Sequence, residues 1–262
     1  MIPKIIHYCW FGGNPLPEDA KKCIASWEKY LPNYEIKEWN ESNFDVNCCP
    51  YVKEAYGSQK YAFVSDYARF YVLYQEGGLY FDTDVEVIKN MDYIIAAGNF
   101  MGFEKSLATK QQEGGTTPRN SVLGVNPGLG LGVNPGLGLG VNPGLALLGE
   151  LLDFYEAKEH FAIEDGTVVD YTTELLRKHG LVEEHHLQKV ADIMIYPADY
   201  FCPMDSTTGI TTITENTVSI HHYSCSWIEH NTLSWRLHIL KNKLIGLLGE
   251  KWVMKMSNIL RR

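Results

Sequence analysis

The stretch from Ser65 to Glu86 constrains this chain more than any other: Ser-Asp-Tyr-Ala-Arg-Phe-Tyr-Val-Leu-Tyr-Gln-Glu-Gly-Gly-Leu-Tyr-Phe-Asp-Thr-Asp-Val-Glu. Its first half has a helical period, with Tyr67, Phe70, Tyr71 and Tyr74 forming an apolar stripe. Asp66 and Arg69 are three apart and share one face of that helix. Gly77-Gly78 supplies the stop that a left-handed cap requires. A strand then opens at Leu79-Tyr80-Phe81, and on an extended backbone the carboxylates of Asp82 and Asp84 point the same way. Two aligned carboxylates at a strand end are costly without positive charge between them. A divalent cation that prefers hard oxygen ligands, shared with substrate phosphates, is the expected counter-charge. A bare Asp-x-Asp is commonly only an exposed acidic turn. Here an apolar run, a Gly-Gly stop and a helix bearing Asp and Arg on one face precede it, and that conjunction points to a site.

The run Ser-Asp-x-x-Arg followed by Gly-Gly-x-Tyr-x-Asp-x-Asp resembles glycosyltransferases with a DXD sugar-binding region. That is glycosyltransferase family 32, which includes yeast-type α-1,6-mannosyltransferases and bacterial capsular-polysaccharide transferases. The catalytic domains of the large clostridial glucosylating toxins share the signature. The resemblance implies an α/β fold of the GT-A type, a nucleotide-sugar-binding domain whose mixed central sheet is flanked by helices. It implies retaining transfer of a sugar from a nucleoside-diphosphate sugar, a UDP- or GDP-sugar, to a carbohydrate or lipid-linked saccharide acceptor in surface polysaccharide or glycan synthesis. Mn²⁺ or Mg²⁺ would bridge Asp84 and the diphosphate, with Asp82 on the ribose or the metal. Asp66 and Arg69 would hold the donor's sugar hydroxyls and phosphate, with Tyr80 beside them.

Two further passages extend the resemblance. Pro3-Lys4 to Gly12 matches Pro-Lys-x-Ile-His-x-x-Trp-x-Gly, and places Trp10 at the carboxyl end of a first strand. In open α/β sheets that edge binds ligands, and the resemblance implies that Trp10 stacks on the nucleotide base. His7 reads as a structural histidine. Near the other end, His221-His222-Tyr223-Ser224-Cys225-Ser226-Trp227 matches His-His-aromatic-x-x-Ser-Trp. A histidine suits a site where two carboxylates already hold a metal. Adjacent strand histidines point to opposite faces, so one of the pair ligates. Analogy with other DXD transferases favours His222, with His221 as the alternate. Ser226 and Trp227 become candidates for contacting the diphosphate.

The remaining chain reads as one sizeable α/β domain: 262 residues, 45% of them hydrophobic, provide for a real core. A formal net charge of -9 argues against a nucleic-acid partner. Six cysteines without a Cys-x-x-Cys pair, together with a start that shows no signal peptide, imply a cytoplasmic protein with reduced thiols. Helices are expected over Pro17–Leu31, Tyr51–Gly57, Leu145–Glu156 and Asp170–His179. Strands are expected over Tyr34–Trp39, Val85–Ile88, Phe100–Phe103 and Val190–Tyr196, with Tyr93-Ile94 as strand or edge. From Gly124 to Leu147 the octapeptide Gly-Val-Asn-Pro-Gly-Leu-Gly-Leu occurs three times, with Ala146 replacing a glycine in the third copy. Asn-Pro-Gly favours turns, and the expectation is a surface insertion; the family resemblance implies that Asn120, before it, lies on the acceptor side. The transferase domain is placed at residues 1–232. Leu233–Arg262 reads as a basic amphipathic helix whose apolar leucines and cluster of Lys and Arg suit peripheral contact with an anionic membrane. A metal-dependent carbohydrate-binding module without turnover is the alternative function.

Overall fold

The computed structural model describes residues 1–105, 131–184, 186–205 and 210–224. Asn120, Ser226, Trp227 and the segment Leu233–Arg262 lie outside the described residues. The elements run β1 (Ile5–Cys9), α1 (Glu18–Tyr30), β2 (Glu35–Trp39), α2 (Pro50–Gly57), α3 (Tyr61–Glu76), β3 (Gly78–Tyr80), β4 (Val85–Val87), α4 (Asp92–Ala96) and β5 (Phe100–Lys105). They continue with β6 (Leu131–Asn134), β7 (Leu139–Val141), α5 (Ala146–Glu156), a 3₁₀ turn (Ile163–Asp165), α6 (Val168–Lys178), β8 (Gln188–Val190), β9 (Ile193–Tyr196), α7 (Ala198–Phe201) and β10 (Ser219–His221).

Eight strands form a mixed sheet in the order β2-β1-β3-β7-β5-β9-β8, with β6 paired to β5. β1 lies parallel to both β2 and β3, and β5 parallel to β9, whereas β7 is antiparallel to β3 and β5. Side chains alternate between the two faces. Cys9, Tyr80, Met101 and Val141 pack with α2, α3 and α5 on one side. Ile6, Tyr8, Leu79, Phe81 and Phe100 pack with Trp27 of α1 and Phe201 of α7 on the other. This is the expected mixed α/β sheet flanked by helices.

Three local expectations are corrected. The octapeptide copies are not a surface insertion over residues 131–147. They supply β6 and β7, and Val133, Leu137, Leu139 and Val141 are fully buried. Tyr93-Ile94 belongs to the short helix α4. The single strand expected over Val190–Tyr196 is two, because Ala191 (φ 48°) and Asp192 (φ 62°) turn the chain left-handed between β8 and β9. The helix α3, by contrast, ends where the glycines require: Gly77 has φ 64° and Gly78 has φ 107°, and the Gly77 N–H donates to Leu73 O at 2.9 Å. A side chain on Gly78 would meet the Ile5 carbonyl at 2.7 Å, so glycine also lets β3 close on β1. His7 is structural as expected. Its Nε2 donates to Gly77 O at 2.8 Å and its Nδ1 accepts from Trp39 Nε1 at 3.0 Å. Burial lowers its pKa, in keeping with a neutral ring.

Candidate active site

The acidic pair sits in a turn, not on a strand. β3 ends at Tyr80, and the Val85 N–H donates to Asp82 O at 3.0 Å, folding residues 82–85 into a turn before β4 starts in a second, two-stranded sheet with β10. The two carboxylates converge because of this turn rather than through strand alternation. The β4–β10 pairing brings His221 opposite Val85, one residue beyond Asp84. Asp82, Asp84 and His221 each offer one ligand atom, and these atoms lie within 4.8 Å of one another.

The structure brings His221 to the carboxylates and not His222. His221 Nε2 lies 3.2 Å from Asp84 Oδ1. The His222 ring turns the other way and meets Glu86 Oε2 at 2.9 Å, while its backbone N–H donates to Asp84 O at 2.9 Å. The reason is the strand alternation that permits one histidine per face, with the pairing register choosing which. Ser224 completes the setting of Asp84. Its backbone N–H and hydroxyl donate to Asp84 Oδ2 at 2.8 and 3.0 Å, and Tyr223, with φ 49°, makes the bend that returns the chain there. Burial pushes the Asp84 carboxyl up, but His221 and the two Ser224 hydrogen bonds outweigh it and hold it below the usual carboxylate range. Burial would lower His221, and the Asp84 charge overcomes this and holds it well above its ordinary value. The other ring nitrogen, His221 Nδ1, is buried without a hydrogen-bond partner among the described residues.

Arg69 organises the other carboxylate. From one face of α3 its Nη2 reaches Asp66 Oδ1 at 2.8 Å and Asp82 Oδ1 at 3.2 Å, and its guanidinium lies over the Tyr80 ring at 5.0 Å. Tyr80 donates its hydroxyl to the same Asp82 oxygen at 3.1 Å. Arg69 is 3% exposed and Asp66 7% exposed, so Arg69 is a buried cation shared by two carboxylates. Burial raises the Asp66 carboxyl to about 7 against the pull of Arg69. Asp66, Arg69 and Tyr80 therefore hold Asp82 in position, which the helix spacing and the strand end had placed together. Trp10 lies at the same carboxyl edge, half-buried, with its indole N–H on Asn14 O at 2.6 Å. β1 and β3 run parallel side by side, which puts Trp10 and Asp82 at adjacent strand ends.

Sequence reasoning missed the residues that pack against Asp82 from the repeat side. The Asp82 N–H donates to Gly136 O at 3.0 Å, and a side chain on Gly136 would lie 1.8 Å from Asp82 Oδ2. Asn134 accepts the Gly136 N–H at 2.8 Å and donates its amide to Glu104 Oε2 at 2.5 Å. Glu104 feels the charges of His221 and Asp82, and burial raises its pKa. The signal available was the repeated Asn-Pro-Gly, which marks a turn but not what that turn abuts.

Two hard carboxylate oxygens and an imidazole nitrogen that converge within 4.8 Å fit a divalent cation. Asp82, Asp84 and His221 are the residues that would hold it.

Residues 17–101, which include Asp66, Arg69, Asp82 and Asp84, match the family described as "Glycosyltransferase sugar-binding region containing DXD motif". An uncharacterized glycosyltransferase of Acanthamoeba polyphaga mimivirus is 30% identical over 137 residues, covering 48% of this chain and 51% of that protein. Inositol phosphoceramide mannosyltransferase 3 of Schizosaccharomyces pombe is 30% identical over 121 residues, covering 40% of this chain and 34% of that protein. The chain thus spans about half of the first relative's length and about a third of the second's. Among solved structures, PaToxG glycosyltransferase is similar with a TM-score of 0.46 at 18% identity, over 68% of this chain and 69% of that one. Galactosyltransferase LgtC, solved with donor and acceptor sugar analogues, is similar with a TM-score of 0.43 at 14% identity, over 95% and 98%.

Proposed function

We propose that the protein is a metal-dependent, retaining glycosyltransferase of the GT-A type. It moves a sugar from a UDP- or GDP-sugar to a carbohydrate or lipid-linked saccharide acceptor in surface polysaccharide or glycan synthesis. The observation that carries this reading is the convergence of Asp82, Asp84 and His221 at the carboxyl edge of the sheet, beside Trp10. Asp82, Asp84 and His221 would hold Mn²⁺ or Mg²⁺, which would supply positive charge to the departing diphosphate, where the transition state needs help. Arg69, fixed by Asp66 and Tyr80, keeps Asp82 oriented. Ser224 and His221 do the same for Asp84. Trp10 offers an aromatic face to the base, and Ser226 and Trp227 serve the diphosphate.

Incubation with UDP- and GDP-sugars and Mn²⁺ tests the reading. Release of nucleoside diphosphate that EDTA abolishes and Asp84→Ala removes is the expected result. Metal-dependent sugar binding without release would instead identify a carbohydrate-binding module. We further place the protein in the cytoplasm, held at the inner face of the plasma membrane by Leu233–Arg262. Each basic residue near an anionic leaflet contributes about 1 kcal/mol. Co-sedimentation with phosphatidylserine vesicles at low salt, weakened at high salt and lost on truncation at Thr232, is expected. Among the described residues no helix is long and apolar enough to cross a membrane.

A further inference from the structure

Among the described residues, Glu104 is a carboxylate close enough to feel the charges of His221 and Asp82, and it has no assigned task. Glu104 stands near the end of β5, opposite Gly132 of β6. One of its oxygens accepts the Asn134 amide at 2.5 Å, and Asn134 is itself fixed by the Gly136 N–H. Its charge is felt by Tyr223 on the β10 side of the cleft, and Glu104 in turn feels His221, Asp170 and Asp82. Asp82 and Glu104 are thus tied to the same short turn, Asp82 through Gly136 O and Glu104 through Asn134 Nδ2. A partly buried acid beside two other carboxylates is unfavourable for the fold. Its alternating neighbours Phe103 and Met101 point to the opposite face of β5, into the core beneath α3 and α5.

We propose that Glu104 is a further catalytic residue of the transfer reaction, its carboxylate facing the transferred sugar and stabilising the positive charge that builds at the anomeric carbon, with Asn134 as its positioning residue. This rests on the transferase reading above. In the step, the bond from the anomeric carbon to the diphosphate oxygen breaks and its electron pair leaves with the diphosphate. The acceptor hydroxyl oxygen forms the new bond to that carbon, and its proton passes to the departing diphosphate oxygen. Glu104 acts as the carboxylate, the form that the His221 charge and the Asn134 hydrogen bond favour against burial, and forms no bond. A fixed negative charge of this kind acts on the transition state and little on the ground state, so its loss falls on kcat.

The test compares the parent, Glu104→Gln and Glu104→Asp on the UDP- or GDP-sugar that the parent turns over with Mn²⁺. Glu104→Gln keeps shape and the contact with Asn134 while removing the charge. The expected result is a fall in kcat of at least about tenfold, with the donor KM and the Kd for the released nucleoside diphosphate unchanged within about threefold. Unaltered kcat, or a raised KM at unaltered kcat, overturns the assignment. If Glu104→Gln also fails to bind the nucleoside diphosphate, Glu104→Asp decides. Recovery of turnover above the Gln variant supports the charge, and no recovery overturns it. Asn134→Ala should lower kcat less than Glu104→Gln, and adding it to Glu104→Gln should cause no further fall. Additive losses overturn the positioning role. Absence of release by the parent itself overturns the transferase reading and this inference together, a result distinct from any variant-specific loss.

Discussion

The two described Asn-Pro-Gly turns have the same sequence and stand at opposite ends of one strand. β7 runs antiparallel to β3, pairing Tyr80 with Leu139 and Gly78 with Val141. The turn before β7, Asn134-Pro135-Gly136, therefore lies at the Asp82 end of β3, and the turn after it, Asn142-Pro143-Gly144, at the Gly77 end. At the first, Gly136 presses its backbone on the Asp82 carboxylate and Asn134 takes hold of Glu104. At the second, Pro143 packs where a Gly77 side chain would stand, the Gly144 N–H donates to Tyr74 O at 2.8 Å, and Asn142 is absorbed by Asn99 Oδ1. One turn serves the site and the other locks helix α3 to the sheet. A local sequence thus sets a conformation, while the strand register decides what that conformation touches.

The severest way to break the comparison is to remove the first turn together with the residues that form β6 and open β7. Deleting Gly124–Leu139 leaves a single octapeptide where the fold uses two strands, β6 and β7. Because β7 bridges β3 and β5 at the centre of the sheet, we expect no cooperative thermal transition and no soluble folded protein. A soluble product with a parent-like melting curve would mean that the sheet closes without both strands.

Next comes a pair of equivalent substitutions. Gly136→Ala puts a methyl group 1.8 Å from Asp82 Oδ2, so the carboxylate must swing away. The expected outcome is loss of the Mn²⁺-induced rise in melting temperature, because a ligand that binds only the folded state can no longer do so. Gly144→Ala meets nothing within 4 Å but must hold φ 73°. It should lower stability by about 1–2 kcal/mol and leave the Mn²⁺ response intact. Equal metal responses in the two variants would erase the distinction between the turns.

A pH series sharpens the same contrast. Without metal, His221 is paired with Asp84. The raised His221 pKa makes its share of stability present below its unfolded value of about 6.5 and lost as pH rises through the folded one. The depressed Asp84 pKa makes its share present above about 3.9 and lost as pH falls through the folded value. A cation needs neutral His221, so binding releases a proton and Mn²⁺ affinity should rise with pH by up to about tenfold per unit until His221 is neutral. Titrations at pH 6, 7 and 8 check this, and a pH-independent affinity would exclude His221 from the ligands. Gly144→Ala, remote from the ion pair, should leave that slope unchanged.

The contrast also marks what could be read from the sequence. Helix α3, its Gly-Gly end and the Asp66–Arg69 pairing depend on spacings of three or four residues within one element, and they were legible. So was the presence of one histidine facing the carboxylates, because alternation is local. Which histidine it is depends on the β4–β10 register, a long-range choice that placed His221 rather than His222 against Asp84. The octapeptides misled for a related reason. Their glycines look like loop residues, but Gly140 is required because a side chain there would meet Phe100 Cε1 at 2.1 Å, and Gly132 because one would meet Val169 Cγ1 at 2.5 Å. Small residues chosen for close packing and small residues chosen for freedom look alike in one dimension. Glu104 was visible as a strand end and gained a role only once Asn134 was seen to reach it.

The smallest expected effect concerns the only difference between the second and third copies, Gly138 against Ala146. Gly138 stands between the first turn and β7 with φ 157°, and a side chain there would sit 3.3 Å from Phe81 Cε1 and 3.4 Å from Phe201 Cδ1. Ala146 is the first residue of α5 and is exposed, where a methyl group has room and favours the helix. The third copy therefore carries alanine where the repeat passes from strand to helix, and the second keeps glycine where two aromatic rings crowd the backbone. Ala146→Gly should lower stability by no more than about 1 kcal/mol, the propensity difference in a helix interior. Gly138→Ala should lower it by more, since both rings must give by a few tenths of an ångström in a close-packed core. Urea unfolding of the two variants measures the difference directly. A larger loss for Ala146→Gly than for Gly138→Ala would show that helix α5, and not the crowded start of β7, is the more demanding of the two repeat positions.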